Sequence, residues 1–206
     1  MVAVADHQTA GRGRLGRTWE APPGSSLLMS VLLRPGLPAD RLHLATAVVA
    51  LAAAAALDDV AGFHPGLKWP NDLVVDDRKL AGVLAEADLA DVAAPAVVVG
   101  IGINLNWPDE VPAEGVAANQ LAGRPIDRDA VLTALLAHLD RRYGHWTDVA
   151  SEYRRSCVTV GRVVRVELAD ETFTGTAADV SDDGHLLVDI GMCLRTVTAG
   201  DVIHVR

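Results

Sequence analysis

Three short stretches carry residue types able to do chemistry. The first, "GRGRLGRTW" (residues 11–19), packs three arginines and three glycines into nine residues of a chain whose formal net charge is -9. Glycines let backbone N–H groups approach a ligand, and arginines offer forked donors for phosphate or carboxylate. A small-anion site, a solvated turn and an RNA-binding Arg/Gly segment all fit that loop, and Trp19 beside it adds a surface that can stack on a nucleobase.

The second stretch, "KWPNDLVVDDRKLAG" (residues 68–82), contains the only two lysines of the chain, Lys68 and Lys79, against sixteen arginines. In an arginine-biased composition, a surviving lysine marks a place where a compact ammonium does what a planar guanidinium cannot. Asn71 and Asp72 after Pro70 supply an amide and a carboxylate at a strand entrance, oxygen donors suited to Mg2+. Asp72 and Lys79 are seven residues apart and need a hairpin to converge. An Asn-Asp turn with lysines at the strand ends is the bland reading of the same residues.

The third, "VVVGIGIN" (residues 97–104), reads as a buried strand. Gly100 and Gly102 strip side chains from one face, so that a flat ligand could lie there, and Asn104 falls on the same parity. A dinucleotide fingerprint is not completed, because Asn104 and Leu105 stand where it needs another glycine and a helix start.

The elements that must position these stretches can be read from periodicity. "MVAVA" (1–5) predicts a buried strand leading into the arginine loop, and "SLLMSVLLRP" (26–35) a second strand ended by Pro35. Asp40 is expected to cap a helix through residues 41–60, and residues 62–90 to form two strands around a turn at 76–78. A strand over 96–106 and a loop at 107–115 follow. Asp127 opens a helix carrying Val131, Leu135, Leu136 and Leu139, and a shorter one carries Val149 and Tyr153. From Gly161 the pattern changes to four short alternating strands with "ADE", "SDDG" and "GM" turns, a small β module expected to pack on the larger domain.

Half of the residues are hydrophobic, enough for a sizeable core. The longest apolar run, residues 45–57, reads as too short and alanine-rich for a membrane span, and the N-terminus lacks a signal pattern, so a cytoplasmic protein with no membrane partner is expected. The acidic balance argues against general nucleic-acid binding. Cys157 and Cys193 have no metal-ligand spacing and are read as reduced and structural.

Taken together and in this order, "DHQTAGRGRLGRTW", "KWPNDLVVDDRKLAG" and "GIGINLN" resemble the catalytic core of the biotin-protein ligases, and the small β module resembles that family's C-terminal SH3-like domain. The resemblance implies an α+β fold: a mixed β-sheet catalytic domain of the biotin/lipoate ligase type over residues 1–158, and a small SH3-like β-barrel over 159–206. It implies joining of biotin and ATP to biotinyl-5'-AMP, with Mg2+, and transfer of biotin to a lysine of the biotin carboxyl carrier domain of an acyl-CoA carboxylase. By the same resemblance Gln8, Arg12, Gly13, Arg14 and Lys79 contact biotin, with Gly82 and Gly102 where backbone meets ligand. Trp19 and Asn104 lie around the adenine, Lys68 and Asn71 lie beside the phosphates, and Asp72 holds the metal. Lys79, Arg14 and Asp72 are the expected catalytic groups.

The family's Ser-Thr-Asn stretch upstream of the loop has no counterpart before residue 6, and neither has a DNA-binding N-terminal domain. The reading therefore expects an N-terminally short, mono-functional form with no specific nucleic-acid partner, either a monomer or a weak homodimer. A lipoate- or octanoate-protein transferase of the same superfamily is the nearest alternative. An inactive truncated relative that binds nucleotide or RNA through the arginine loop is the alternative from another class.

Overall fold

The computed structural model describes residues 1–88, 95–112 and 115–205. Two antiparallel sheets organise the chain. The larger has the order β1-β2-β6-β5-β4-β3, built from β1 (Val2–Ala5), β2 (Ser26–Leu33), β3 (Gly66–Lys68), β4 (Asp72–Val75), β5 (Arg78–Asp88) and β6 (Ala96–Asn104).

Alternation along the three central strands sorts their side chains onto two faces. Leu27, Met29 and Val31 of β2 pair with Ile103, Ile101 and Val99 of β6, which in turn pair with Ala81, Val83 and Ala85 of β5, and this face joins the core. Helix α1 (Leu44–Ala61) covers it and packs on α3 (Arg128–Arg142) and α4 (Trp146–Ser156); a short α2 (Ala118–Ala122) lies between β6 and α3. Apolar residues go all the way round α1, as in a helix enclosed by the fold. Gly62, at φ 82°, ends it in a left-handed cap that donates to the carbonyls of Leu57 and Asp58. On the opposite face, Ser30, Gly82, Leu84, Gly100 and Gly102 fall on the other parity and floor a cleft.

The smaller sheet, of order β10-β9-β8-β7-β11, comprises β7 (Val163–Glu167), β8 (Thr172–Val180), β9 (Leu186–Asp189), β10 (Leu194–Val197) and β11 (Asp201–His204). A bulge between Ala177 and Asp179 bends β8. This module packs against the larger domain, as its small size led one to expect. Trp69 donates its backbone N–H to Thr159 Oγ1 (3.0 Å) and its indole N–H to Gly184 O (3.1 Å), while His43 and His185 stack with ring centroids 4.8 Å apart.

Several sequence expectations are corrected. β1 is a strand, but all four of its residues are exposed, because it is an edge paired with β2 alone. Asp40 does not cap α1: it sits inside a 3-10 turn, Ala39–Arg41, and His43 at the cap position makes no capping bond. With that turn the helical segment Ala39–Ala61 is long and apolar enough to cross a bilayer, so shortness is not what marks it as a core helix; 72% of its apolar window is buried inside the fold. Residues 62–88 form three strands rather than two: the chain turns at Trp69 and Pro70, joined by a cis peptide, and β4 pairs antiparallel with β3. The last strand divides into β10 and β11 at Gly200. Cys157 is buried and Cys193 exposed, so only Cys157 belongs to the core. Residues 89–90 of the predicted strand pair, 113–114 of the predicted loop and residue 206 of the expected C-terminal domain lie outside the described residues. Asp127 does cap its helix, accepting from the N–H groups of Asp129 (2.9 Å) and Ala130 (3.1 Å).

Candidate active site

The lysine hairpin builds one wall of the cleft. Asp76 and Asp77, at φ 51° and 60°, make the tight turn between β4 and β5, and the register sets Lys79 opposite Val74, two residues along β4 from Asp72. Lys79 Nζ lies 2.7 Å from Asp72 Oδ1, so the convergence that a hairpin was needed to produce is present. Asn71 is fixed at the strand entrance, donating through Nδ2 to Val83 O (2.9 Å). Lys68, across β3 from Asp72, lines the same cleft.

The glycines form the floor. Gly82 and Gly102 sit directly opposite each other on β5 and β6, and the indole of Trp19 lies on them. A Cβ on Gly102 would stand 2.6 Å from Trp19 Cε2 and 2.8 Å from Nε1; one on Gly82 would stand 3.2 Å from Lys79 Nζ. The flat face predicted from the sequence is real, and the flat group that lies on Gly102 is the protein's own tryptophan. Lys79 Nζ is 5.7 Å from the centre of that ring, a cation–π contact.

The arginine loop forms the opposite wall, and it is ordered by its own backbone. Gly13 N donates to Arg17 O (2.7 Å), Trp19 N to Gly11 O (3.0 Å), and Arg14–Gly16 makes a 3-10 turn whose Leu15 and Gly16 have positive φ. Arg12 reaches Glu86 (2.9 Å). Arg14, half-buried, donates to Asn71 Oδ1 (3.3 Å) and Gly200 O (3.0 Å), and burial pulls its guanidinium pKa below the ordinary arginine value. Arg17 is paired with Asp201 of the smaller sheet, whose carboxylate raises the arginine's pKa.

These walls enclose two lobes. One, of about 560 Å³, runs over the glycine floor beneath Arg12, Gly13 and Arg14; the other, of about 1010 Å³, runs past Asn104, Trp107, Val111 and Pro112. Gln8, Thr18, Trp19, Lys68, Asp72 and Lys79 line both, so the lobes join at the Lys79–Asp72 pair. Asn104 Nδ2 donates to Val116 O (3.2 Å), whereas its Oδ1 is enclosed with no donor among the described residues; the indole N–H groups of Trp19 and Trp107 likewise lack acceptors. Enclosed polar atoms without partners are costly unless a ligand or water serves them.

The structure thus brings every sequence-selected residue to one cleft. It also shows partners that the sequence did not reveal. Trp107 lines the larger lobe, and Glu86, Gly200 and Asp201 hold the loop. Nothing in "AGDVI" distinguishes Asp201 from an ordinary residue after a turn, because its partner is 184 positions away.

Comparison with known proteins agrees with this architecture. The profile of the Biotin/lipoate A/B protein ligase family matches residues 1–104, and that of the Biotin protein ligase C terminal domain matches residues 159–205. The chain is 38% identical over its full length to a Mycobacterium tuberculosis protein named biotin--[acetyl-CoA-carboxylase] ligase, covering 79% of that relative. It is 31% identical over 98% of its length to the Bacillus subtilis bifunctional ligase/repressor BirA, of which it spans 65%. Among solved structures, the biotin protein ligase from Aquifex aeolicus in complex with biotin and ATP superposes with a TM-score of 0.84 at 28% identity, over all of this chain and 88% of that one. Fold, site and both profile matches agree that the chain belongs to the biotin/lipoate A/B protein ligase family and carries that family's biotin protein ligase C-terminal domain.

Proposed function

We propose that the chain is a biotin-protein ligase: it joins biotin to ATP as biotinyl-5'-AMP and passes the biotinyl group to a lysine of the biotin carboxyl carrier domain of an acyl-CoA carboxylase. The observation that carries this reading is the meeting of two lobes at Lys79, Asp72 and Trp19. An acid in one lobe and a nucleotide in the other would bring carboxylate and α-phosphate together beside the ammonium of Lys79.

In the first half-reaction the biotin carboxylate attacks the α-phosphorus, an O–P bond forms, and diphosphate leaves. Two unit charges about 3.5 Å apart at an effective dielectric near 20 repel by about 5 kcal/mol, so cations must offset the approach. Lys79 and Arg14 serve that role, with Lys68 and Asn71 beside the phosphates. Gln8, Arg12, Gly13, Gly82 and Gly102 surround biotin; Trp19 stacks on the adenine and Asn104 Oδ1 accepts from its amino group. In the second half-reaction the acceptor lysine's amine attacks the acyl carbon, AMP departs, and the amide forms with loss of a proton to solvent.

The donor set suits Mg2+. No group of three or more His, Cys, Asp or Glu side chains forms a protein cage among the described residues, but magnesium takes one or two carboxylates and completes its shell with phosphate oxygens and water. Asp72, at the junction of the lobes, would hold it; when bound, the ion would neutralise charge on the phosphates. We place the reaction in the cytoplasm, and we divide the chain into a catalytic domain, 1–158, and a C-terminal domain, 159–206.

Pyrophosphate exchange into ATP is the test. Exchange that requires biotin, with lipoate and octanoate unable to replace it, is the expected result. Exchange driven by lipoate or octanoate moves the chain to the other branch of the superfamily, and nucleotide binding without any exchange reduces it to a binding protein.

A further inference from the structure

The three loop arginines are tied down unequally. Arg12 and Glu86 are both largely in solvent, with side chains 70% and 53% exposed, the kind of pair that contributes little. Arg14 and Arg17 instead reach the smaller sheet at two successive residues, Gly200 and Asp201. Gly200 holds φ at 145°, and a Cβ there would press on Leu168 Cδ2 at 2.7 Å and Glu167 O at 3.0 Å, so this turn is shaped for glycine. It presents the Gly200 carbonyl to Arg14 and the Asp201 carboxylate to Arg17. The Asp201 side chain is 18% exposed and that of Arg17 61%, so the pair is enclosed on its carboxylate side, and Asp201, Val202 and Ile203 line the smaller lobe opposite the loop.

We propose that Asp201 is the catch of the arginine loop: a positioning residue through which the C-terminal sheet holds the loop across the cleft and retains the adenylate until a carrier lysine arrives. The inference rests on the reading that this cleft forms biotinyl-AMP. Asp201 acts through Arg17, whose guanidinium carries its charge throughout the working pH range and offers a fork that a carboxylate matches. Neither side chain is among those assigned above to the reacting carboxylate and phosphate, so loss of the pair loosens retention while adenylate formation continues. An acyl adenylate that escapes reacts with any exposed amine: a bystander lysine attacks the acyl carbon, AMP leaves, and an amide forms.

The experiment uses the full chain with biotin, ATP, Mg2+ and serum albumin as bystander, and reads two quantities: biotin-dependent pyrophosphate exchange and biotin on the albumin. Asp201→Asn and Arg17→Gln each keep exchange within about threefold of the parent while raising albumin labelling at least about fivefold, a coupling of the size expected for two groups in direct contact. The swapped pair, Arg17→Asp with Asp201→Arg, returns labelling to within about twofold of the parent, a rescue that a merely structural defect does not give. Exchange and labelling falling in parallel, labelling unchanged in both single variants, or a swapped pair as leaky as either single change each overturn the catch. A parent chain without biotin-dependent exchange overturns the reading of the site itself and the catch with it; normal exchange without a leak overturns the catch alone.

Discussion

The lysine hairpin and the arginine loop face each other across one cleft and are held in place by different means. In the hairpin, Lys79 meets Asp72 seven residues away through a turn closed by its own backbone, and no distant contact is needed to form the pair. In the loop, the backbone closes locally but every arginine is held by a distant partner: Arg14 by Asn71 and Gly200, 57 and 186 positions away, Arg12 by Glu86, 74 away, and Arg17 by Asp201, 184 away. The difference sets the fixed part of the site against the part that can move. Lys79 and Asp72 sit on strands, where closure is local, whereas the loop, which brings Arg14 to the same chemistry, sits where a few long-range contacts decide the population of states.

The largest expected effect therefore lies in the hairpin. Lys79→Ala should lower biotin-dependent pyrophosphate exchange by about 10²- to 10³-fold, the usual consequence of removing a preorganised group that stabilises developing charge. Lys79→Arg should recover only part of it, since a planar fork cannot take the position of a point charge between Asp72 and the indole. A loop variant such as Arg17→Gln that costs as much exchange as Lys79→Ala would erase the distinction between the two regions.

Next comes the floor that both regions share. A methyl on Gly102 collides with the Trp19 ring, whereas one on Gly100 finds ordinary contacts, the nearest being 3.7 Å from Leu84 O and Ser30 Oγ. Gly102→Ala should raise the KM for ATP by about 10- to 100-fold, corresponding to the 1–3 kcal/mol typical of overpacking, and should shift tryptophan emission as the indole leaves its seat. Gly100→Ala should leave the KM for ATP within about twofold, because nothing has to move. Equal effects at the two glycines would mean that Trp19 is not what the floor was shaped for.

The same contrast explains what could be read from the sequence. Strands β4 to β6, the capped α3, the hairpin and the residues of the site were legible because local signals specify them: alternation, an Asp before an apolar period, a turn between two strands, and motifs that match a family. What escaped depended on tertiary position. β1 carries alternating valines and looks buried, yet whether a strand is central or at an edge is decided by its neighbours rather than by its own residues. Asp40 has the chemistry of a cap, but the chain enters α1 through a 3-10 turn that leaves it one element too early. The face opened by Gly100 and Gly102 was visible, whereas its occupant, Trp19, arrives from 83 positions upstream of Gly102 and leaves no mark in the strand itself.

A smaller effect is expected where the two sheets meet. His185 is stacked on His43 near Asp183, Asp40 and Arg41; burial first, and then the charge on His43, lower its pKa from the ordinary histidine value, and burial together with Lys68 lowers that of His204 at the same junction. A lowered histidine pKa means that the unfolded chain binds more protons than the folded one. Stability is then complete above the unfolded pKa, about 6.5, and declines as the pH falls from there towards the folded value. The melting temperature should drop between pH 7 and pH 5, and His185→Gln should flatten that decline. An unchanged slope in His185→Gln would move the acid sensitivity away from the sheet junction.

The smallest effect is expected at Glu86, and it is the sharpest check on the loop's plan. Glu86 and Asp201 each hold one arginine of the same loop, but Glu86 and Arg12 stand mostly in water, where Coulomb attraction is weak and the ordering of two long side chains offsets it. Glu86→Gln should change the unfolding free energy by no more than about 0.5 kcal/mol, and the difference should shrink further as salt is raised. Bystander labelling by Glu86→Gln should stay near the parent's, while Asp201→Asn leaks. Denaturant melts at low and high salt, run beside the albumin assay, decide the matter. If Glu86→Gln leaks as much as Asp201→Asn, the loop is held from both sheets alike and its closure does not rest on the C-terminal domain alone; if only Asp201→Asn leaks, that domain controls access to a reaction whose Lys79–Asp72 pair lies on the other sheet.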